Sequence, residues 1–416
     1  MKHKIKIVFL NLVLSGIVLS QVNVDPVKVL LSKNRDILAA EEAYKAALKN
    51  IKVYGVLPDP MVESTFFIEP IETRNGPMEG QFMLGQKFPL WGKLKRQRSV
   101  AKNKAEIARL NLEKKKIRAV FQMRKEWESY IKFKNSLGIL NDYREELVTF
   151  RSIALTQYST GVGITQHPIL KLQIEISLVE SQINSLESNF ESTVNTLQSL
   201  FDGYFSPELF GDQRIEILPL NSSEYWLDVA KEAHPLYSKA QRELDIAILK
   251  NELAIRKNYP DLITGLTYTI IGDGSSTTTS AGADAMGFKV GLNLPIWFGR
   301  NKARIESTEL TIRSKEETIE QTWNQIEDDI RSTKKDLDEI QETYSLYRDK
   351  LVQESEQMLS SAFSAYETGK ISFLDLLDSE RMVVKVRLSF EEVEANRRIA
   401  SAKMIKNIGL IQLSEE

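Results

Sequence analysis

Two segments of this chain share an unusual grammar: FPLWGKLKRQR at 88–98 and LPIWFGRNKAR at 294–304. Each runs apolar, Pro, apolar, Trp, then reaches Gly and a cluster of basic residues. They are the middle of three landmarks that recur in one order. VLPDPMVEST (56–65) matches NYPDLITGLT (258–267), with Pro58 and Pro260 separated by 202 positions. Pro89 and Trp91 precede Pro295 and Trp297 by 206, and Tyr158 and Gly161 precede Tyr366 and Gly369 by 208. Landmarks in register at a nearly constant offset mark a duplicated unit. Residues 21–220 and 221–416 are therefore expected to be two structural repeats.

Residues 1–20 stand apart. Lys2, Lys4 and Lys6 precede a mostly apolar run from Ile7 to Leu19, and Val18-Leu19-Ser20 suits a peptidase. That is the pattern of a secretory signal peptide, and the run is short for a spanning helix. The chain has no cysteine, so an exported product has neither a disulfide framework nor a lipidated N-terminal Cys. At a net charge of −2 over 416 residues, a nucleic-acid partner is not expected.

Each half reads as helix, strand, strand, long helix, tight turn, helix. The first half places helices at about 27–56, 93–158 and 168–200, with Gly161 and Gly163 ending the long one. The second places them at about 235–259, 300–366 and 371–411. In 300–366, Ile305, Ile312, Ile319, Ile326, Thr333, Ile340 and Tyr347 fall seven apart, with Trp323, Ile330, Leu337, Tyr344 and Leu351 as a second seam. This spacing predicts coiled-coil packing. In each half the two shorter helices together match the long one in length, so they are expected to stack end to end beside it. Residues 201–234 would then lie at mid-height, where RIEILPL (214–220) reads as a short strand.

Strands are expected at about 61–70, 81–90, 261–271 and 286–295. Phe288, Val290, Leu292 and Leu294 alternate with Lys289, Gly291 and Asn293, the weak signature of a lipid-facing barrel strand. A half-buried strand of a soluble sheet has the same pattern. The connections 71–80 and 272–284 are polar and read as flexible hairpin loops. Four strands cannot close a barrel, and open edges are not tolerated in lipid, so a spanning sheet requires oligomerisation. Two copies give eight strands and a filled lumen, whereas three give twelve and a passage. Three suits a long helical tunnel better.

The Pro–Trp–Gly segments are then where strands leave the membrane. Pro89 and Pro295 end the ladder, Gly92 and Gly299 permit a swivel, and Trp91 and Trp297 suit the interface. The cations that follow (Lys93, Lys95, Arg96 and Arg98; Arg300, Lys302 and Arg304) oppose the helix dipole, and anionic headgroups would compensate them.

With these features the chain resembles the TolC-like outer-membrane efflux proteins. AYETGKISFLDLLDSERMVVKVRLSF (365–390) is similar to the family's helix-turn-helix tip, QYSTGVG to its first-half counterpart, and FPLWG and LPIWFG to the strand-to-helix junctions. The resemblance implies a mainly α protein with transmembrane β. A homotrimer would close a 12-stranded barrel in outer-membrane lipid, continued by a coiled-coil α-helical tunnel into the periplasm. The implied function is passive passage from an inner-membrane pump and its periplasmic adaptor to the exterior. It implies adaptor docking at the tips, around Tyr158, Gly161, Tyr366 and Gly369. It also implies an acidic constriction at Asp375 and Asp378, although Ser372 and Asp375 equally fit a helix capping box. The family's Asn-Pro at the start of each repeat is Asn34-Arg35 and His234-Pro235 here. The first-half tip resembles that of metal-efflux relatives, but no Met or His cluster lines a candidate path; drugs, metals and polypeptides stay open as cargo.

No enzyme constellation, cofactor motif or metal-ligand spacing is present: His167 and His234 each precede a proline and read as turn residues. The competing reading is a periplasmic coiled-coil adaptor or structural protein without a barrel, which leaves the alternating strands unexplained.

Overall fold

Asn34 breaks the first helical segment in two. It is extended (φ −63°, ψ 121°) between α1, Pro26–Lys33, and α2, Arg35–Val53. The hairpin β1, Met61–Thr73, and β2, Gly76–Phe88, follows, then α3, Lys93–Ser159, and α4, Gln166–Leu200. After a 3₁₀ turn at Pro207–Leu209 come α5, Ser223–Ala233, and α6, Pro235–Arg256. The strands β3, Leu262–Ile271, and β4, Ala285–Leu292, lead to α7, Phe298–Leu346. One π turn, Tyr347–Leu351, joins α7 to α8, Val352–Glu367, and α9, Phe373–Asn407, completes the chain. This computed structural model describes residues 25–160, 165–211, 214–273 and 282–412. The leader 1–20, Gly161, Gly163 and most of the 272–284 loop lie outside the described residues.

The helices form one layer. At 67 residues, α3 is roughly 100 Å long. It packs against α2 and α4 on one side and α6 and α9 on the other, while α7 packs on α6 and α9, and α8 on α9. The short helices meet end to end through specific contacts. The Asn34 Oδ1 accepts the Ile37 N–H at 3.2 Å, capping α2, and its Nδ2 donates to the Leu200 carbonyl at 3.0 Å at the end of α4. One side chain thus satisfies orphan groups of two helices. His234 caps α6 in the same way, its Nδ1 accepting the Leu236 N–H at 3.2 Å. Gly409, at φ +83° after α9, lets that helix end against it; a Cβ there would sit 2.6 Å from the His234 Cα.

Both meeting points are sealed by apolar clusters. Trp127 of α3 stacks on Phe210 and Tyr130, with Phe201 and Phe205 closing the first. Trp226, Ile330, Met404 and Ile408 close the second. In α7 the expected seam points inward, with Ile326, Ile330, Thr333 and Leu337 buried. RIEILPL is not a strand. It runs as unpaired chain, held because the buried Glu128 carboxylate accepts the Ile215 N–H at 3.0 Å and Arg398 donates to the Ile215 carbonyl at 2.7 Å. Hydrogen bonds to side chains there replace a ladder.

The four strands form one antiparallel sheet in the order β1-β2-β3-β4, leaving β1 and β4 as edges. The first hairpin turns through Arg74 and Asn75 alone, since Thr73 already pairs with Gly76. This is tighter than the ten-residue loop expected: the Thr73 hydroxyl closes the turn, donating to the Gly76 carbonyl at 2.7 Å and accepting the Asn75 N–H at 3.3 Å. Val62, Leu84, Leu266 and Phe288 are direct cross-strand neighbours, and they are 73%, 51%, 52% and 69% exposed. The adjacent row on the opposite face is Glu63, Met83, Thr267 and Gly287. One face is therefore apolar yet uncovered, and the other is more polar. Among the described residues no helix is long and apolar enough to cross a membrane.

Candidate functional site

The tip of the second hairpin is defined by backbone chemistry. Gly369 is left-handed at φ +70°, with its N–H bonded to the Tyr366 carbonyl at 2.9 Å and the Lys370 N–H to Ala365 at 2.9 Å. That paired arrangement is a Schellman motif, which satisfies the last carbonyls of α8. Tyr366 lies edge-on to Phe373, which packs on Phe150 of α3, so this ring is engaged within its own protomer. Tyr158 is exposed.

Asp375 and Asp378 follow in the first turns of α9, both exposed. Asp375 closes a reciprocal capping box with Ser372: its Oδ2 accepts the Ser372 N–H at 2.9 Å and the hydroxyl at 2.7 Å. Those bonds hold its carboxyl below the usual range. Asp378 lies outside the box. Its Oδ1 is 3.3 Å from the Lys171 Nζ of α4 and 3.8 Å from Arg381.

Behind this pair lies a brace that no local pattern announced. Glu175 of α4 is buried; its Oε1 accepts from the Arg381 Nε at 2.9 Å, its Oε2 accepts a second Arg381 bond, and the Tyr143 hydroxyl lies at 3.3 Å. The contact joins α3, α4 and α9, so the two hairpins are tied just below the aspartates. Glu380, the residue before Arg381, is pushed up to about 7 by burial and by its hydrogen bond with Glu146 of α3. The i,i+3 spacing of Asp378 and Arg381 was visible in the sequence, but their α4 partners lie 207 and 206 positions away.

At the other end of the helices, the first junction turns through two left-handed residues, Trp91 at φ +63° and Gly92 at φ +73°. Trp91 is anchored: its Nε1 donates to the Pro260 carbonyl at 3.0 Å, its ring lies 5.2 Å from Tyr259, and Arg256 donates to its carbonyl at 2.9 Å. Pro89 directly follows β2. In the second junction Pro295 accepts from Asn301 at 3.2 Å, and exposed Trp297 is the N-cap of α7 without a side-chain bond. Gly299 is no swivel. It sits inside the first turn of α7 and has no positive φ. Lys93 also departs from expectation: it is buried, 2.6 Å from Asp261 and 2.8 Å from the Tyr259 carbonyl. Its charge is compensated within the chain, not by headgroups. Asp261 further accepts from Lys87 at 3.2 Å and the Leu90 N–H at 3.3 Å, and its N–H donates to Asn293. Asp261 therefore ties both junctions together, its carboxylate holding the first and its backbone bonding Asn293 before the second.

Among the described residues no three His, Cys, Asp or Glu side chains are grouped to hold a metal. The sequence profile of the outer membrane efflux protein family matches residues 226–410. The cobalt-zinc-cadmium resistance protein CzcC of Cupriavidus metallidurans is 22% identical over 221 residues, 53% of this chain. That match spans about half (51%) of the relative's own length. In fold, the chain is similar to a membrane protein from Pseudomonas aeruginosa (TM-score 0.78, 16% identity, 93% of this chain and 91% of that one). It is also similar to the Neisseria gonorrhoeae MtrE outer membrane channel in its open state (TM-score 0.74, 15% identity, 92% and 88%). The Campylobacter jejuni CmeC outer membrane channel aligns comparably (TM-score 0.73, 15% identity, 92% and 84%). Residues 226–410 thus match the outer membrane efflux protein family, and the chain as a whole shares the fold of outer membrane channels, a layer of long helices with a four-stranded sheet across one end.

Proposed function

We propose that three copies of this chain close a 12-stranded barrel in the outer membrane, continued by a helical tunnel in the periplasm. Through it, substrates pass from an inner-membrane pump and its periplasmic adaptor to the exterior. The observation that carries this is the sheet. Its apolar row is uncovered and its edges β1 and β4 are unpaired within one chain. In water such a surface is an aggregation site, whereas in lipid closure by further copies satisfies both features. The repeating element order (short helices, hairpin, long helix, returning helix) supports reading 21–220 and 221–416 as duplicated units. Trp91 and Trp297, with Pro89, Gly92, Pro295 and Gly299, would then mark the periplasmic interface of the outer membrane.

The tips around Tyr158, Gly161, Tyr366 and Gly369 are proposed to receive the adaptor. The exposed side chain of Tyr158 supports that role better than Tyr366, which is occupied by Phe373. Asp375 and Asp378 are proposed as the constriction. Converging copies of both would focus a negative potential that favours cations. Lys171 neutralises part of that potential from within each protomer.

The assembly is tested by the mass of the protein in detergent and by its conductance in planar bilayers. Three chains per particle and a stable conductance are expected; a detergent-free monomer would refute it. The constriction is tested by adding a trivalent cation to the periplasmic side. Block should weaken in Asp378→Asn. Identical block in Asp375→Asn, Asp378→Asn and the unmodified channel would leave Asp375 as a cap alone.

A further inference from the structure

A cavity of about 610 Å³ opens between α3, α6, α7 and the end of α9, close to where α9 meets α6. Its floor is apolar, built by Ile117, Phe121 and Leu236. Its rim carries four cations, Lys114, Arg118, Lys239 and Lys406, against two carboxylates, Glu243 and Asp329. The carboxylates do not serve the cations evenly. Glu243 is taken by Lys315 at 2.7 Å and Lys239 at 3.9 Å. The Asp329 Oδ1 accepts from Gln325 at 3.3 Å. Among the described residues no carboxylate lies within 4 Å of Lys114, Arg118 or Lys406; the last sits 5.1 Å over the Phe121 ring.

His234 adds a neutral donor. Its Nδ1 accepts the Leu236 N–H, so the ring hydrogen resides on Nε2. Burial, the largest influence, holds its pKa down at about 4, so the ring stays uncharged near neutrality. Assembly does not account for the cavity. The free sides of the helix layer are α2/α4 and α7/α8, whereas this opening is bounded by α3, α6, α9 and α7 within one protomer. Nor does α5 cover it: α5 meets α7 through Lys231 over Trp323 and Glu224 with Arg331, while Gln325 and Asp329 line the cavity on the other flank of α7.

We infer that this cavity binds an amphipathic organic anion, its charged head held by Lys114, Arg118 and Lys406 and its apolar body against Ile117, Phe121 and Leu236. Three uncompensated cations beside an apolar floor discriminate by charge at one end and by burial at the other. The size suits a ligand of small-molecule dimensions. The inference rests on one protomer and does not depend on the proposed assembly. An anionic lipid has the same chemistry. However, α6 runs 22 residues, roughly 33 Å, from its start at the cavity towards the sheet, which favours a free solute.

The test is calorimetric titration of decanoate into the full-length protein in phosphatidylcholine nanodiscs, with empty nanodiscs as control. Decyltrimethylammonium serves as the cation of equal tail length. Decanoate should bind saturably, one per chain, and about tenfold or more tighter than the cation, the factor expected for a few partly exposed charge contacts. The double variant Lys114→Glu/Arg118→Glu should reverse that preference. Lys302→Glu, on an exposed cation far from the cavity, should not. Should the double variant fail to assemble, Lys406→Gln alone should still lower decanoate affinity severalfold. Equal binding of the two amphiphiles, or decanoate affinity unchanged in an assembled charge variant, overturns the inference. Loss of decanoate binding when phosphatidylglycerol is added to the nanodisc overturns the assignment to a solute.

Discussion

Replacing Arg381 by Ala strips the buried Glu175 carboxylate of its charged partner and tests whether the two hairpins are tied by that brace. Glu175 is 8% exposed by its side chain and Arg381 47%. Breaking a fully buried pair costs about 3–5 kcal/mol. Here water reaches the arginine side and can partly replace it, so the cost falls to about 1.5–3 kcal/mol, the range for hydrogen bonds to charged groups. That corresponds to roughly 10- to 150-fold faster local opening. Amide exchange of the assembled protein in detergent reads this directly, at 172–180 in α4 and 377–385 in α9, with 37–45 in α2 as the unaffected reference. Arg381→Lys keeps the charge but loses the two-pronged geometry, and should fall between. In Glu175→Gln, the added effect of Arg381→Ala should shrink, because no buried charge is left unpaired. Exchange within twofold of the unmodified protein at both segments, with assembly intact, would refute the brace.

Three further outcomes are expected. Asn34→Ala removes the cap of α2 and the donor to Leu200, about 1 kcal/mol each, so amides at the α2 start and α4 end should exchange about 30-fold faster; Asn34→Asp should keep the α2 protection and lose the other. Phe288→Arg is an exposed substitution in the isolated chain, where a cost within about 0.5 kcal/mol is usual, but facing lipid near the midplane it should cost about 2–4 kcal/mol in vesicle refolding. The raised Glu380 makes the folded tip bind a proton that the unfolded chain releases near 4.5, so its contribution is full below that pH and lost as pH rises through about 7. Melting at pH 5 and pH 8 should differ more in the unmodified protein than in Glu380→Gln.

Features carried by a few consecutive residues were legible in the sequence. The heptad seam of α7, the alternation in β4, the left-handed break at Gly369 and the Ser372–Asp375 box each arise from local geometry, so their residue types appear at the matching spacing. Even the departure at Asn34-Arg35 and His234-Pro235 marked a real place, the starts of α2 and α6. What those residues do there was not legible. Asn34 bonds Leu200 across 166 positions, Lys93 meets Asp261 across 168, and Glu175 meets Arg381 across 206. Read locally, Lys93 was one more cation for the headgroups and Gly299 one more hinge. A side chain's partner across the layer depends on which helix lies beside it and at what height, and periodicity along one helix carries neither quantity. The cavity beside His234 is the extreme case: its four cations come from three helices, and only the way those helices pack brings them around one apolar floor.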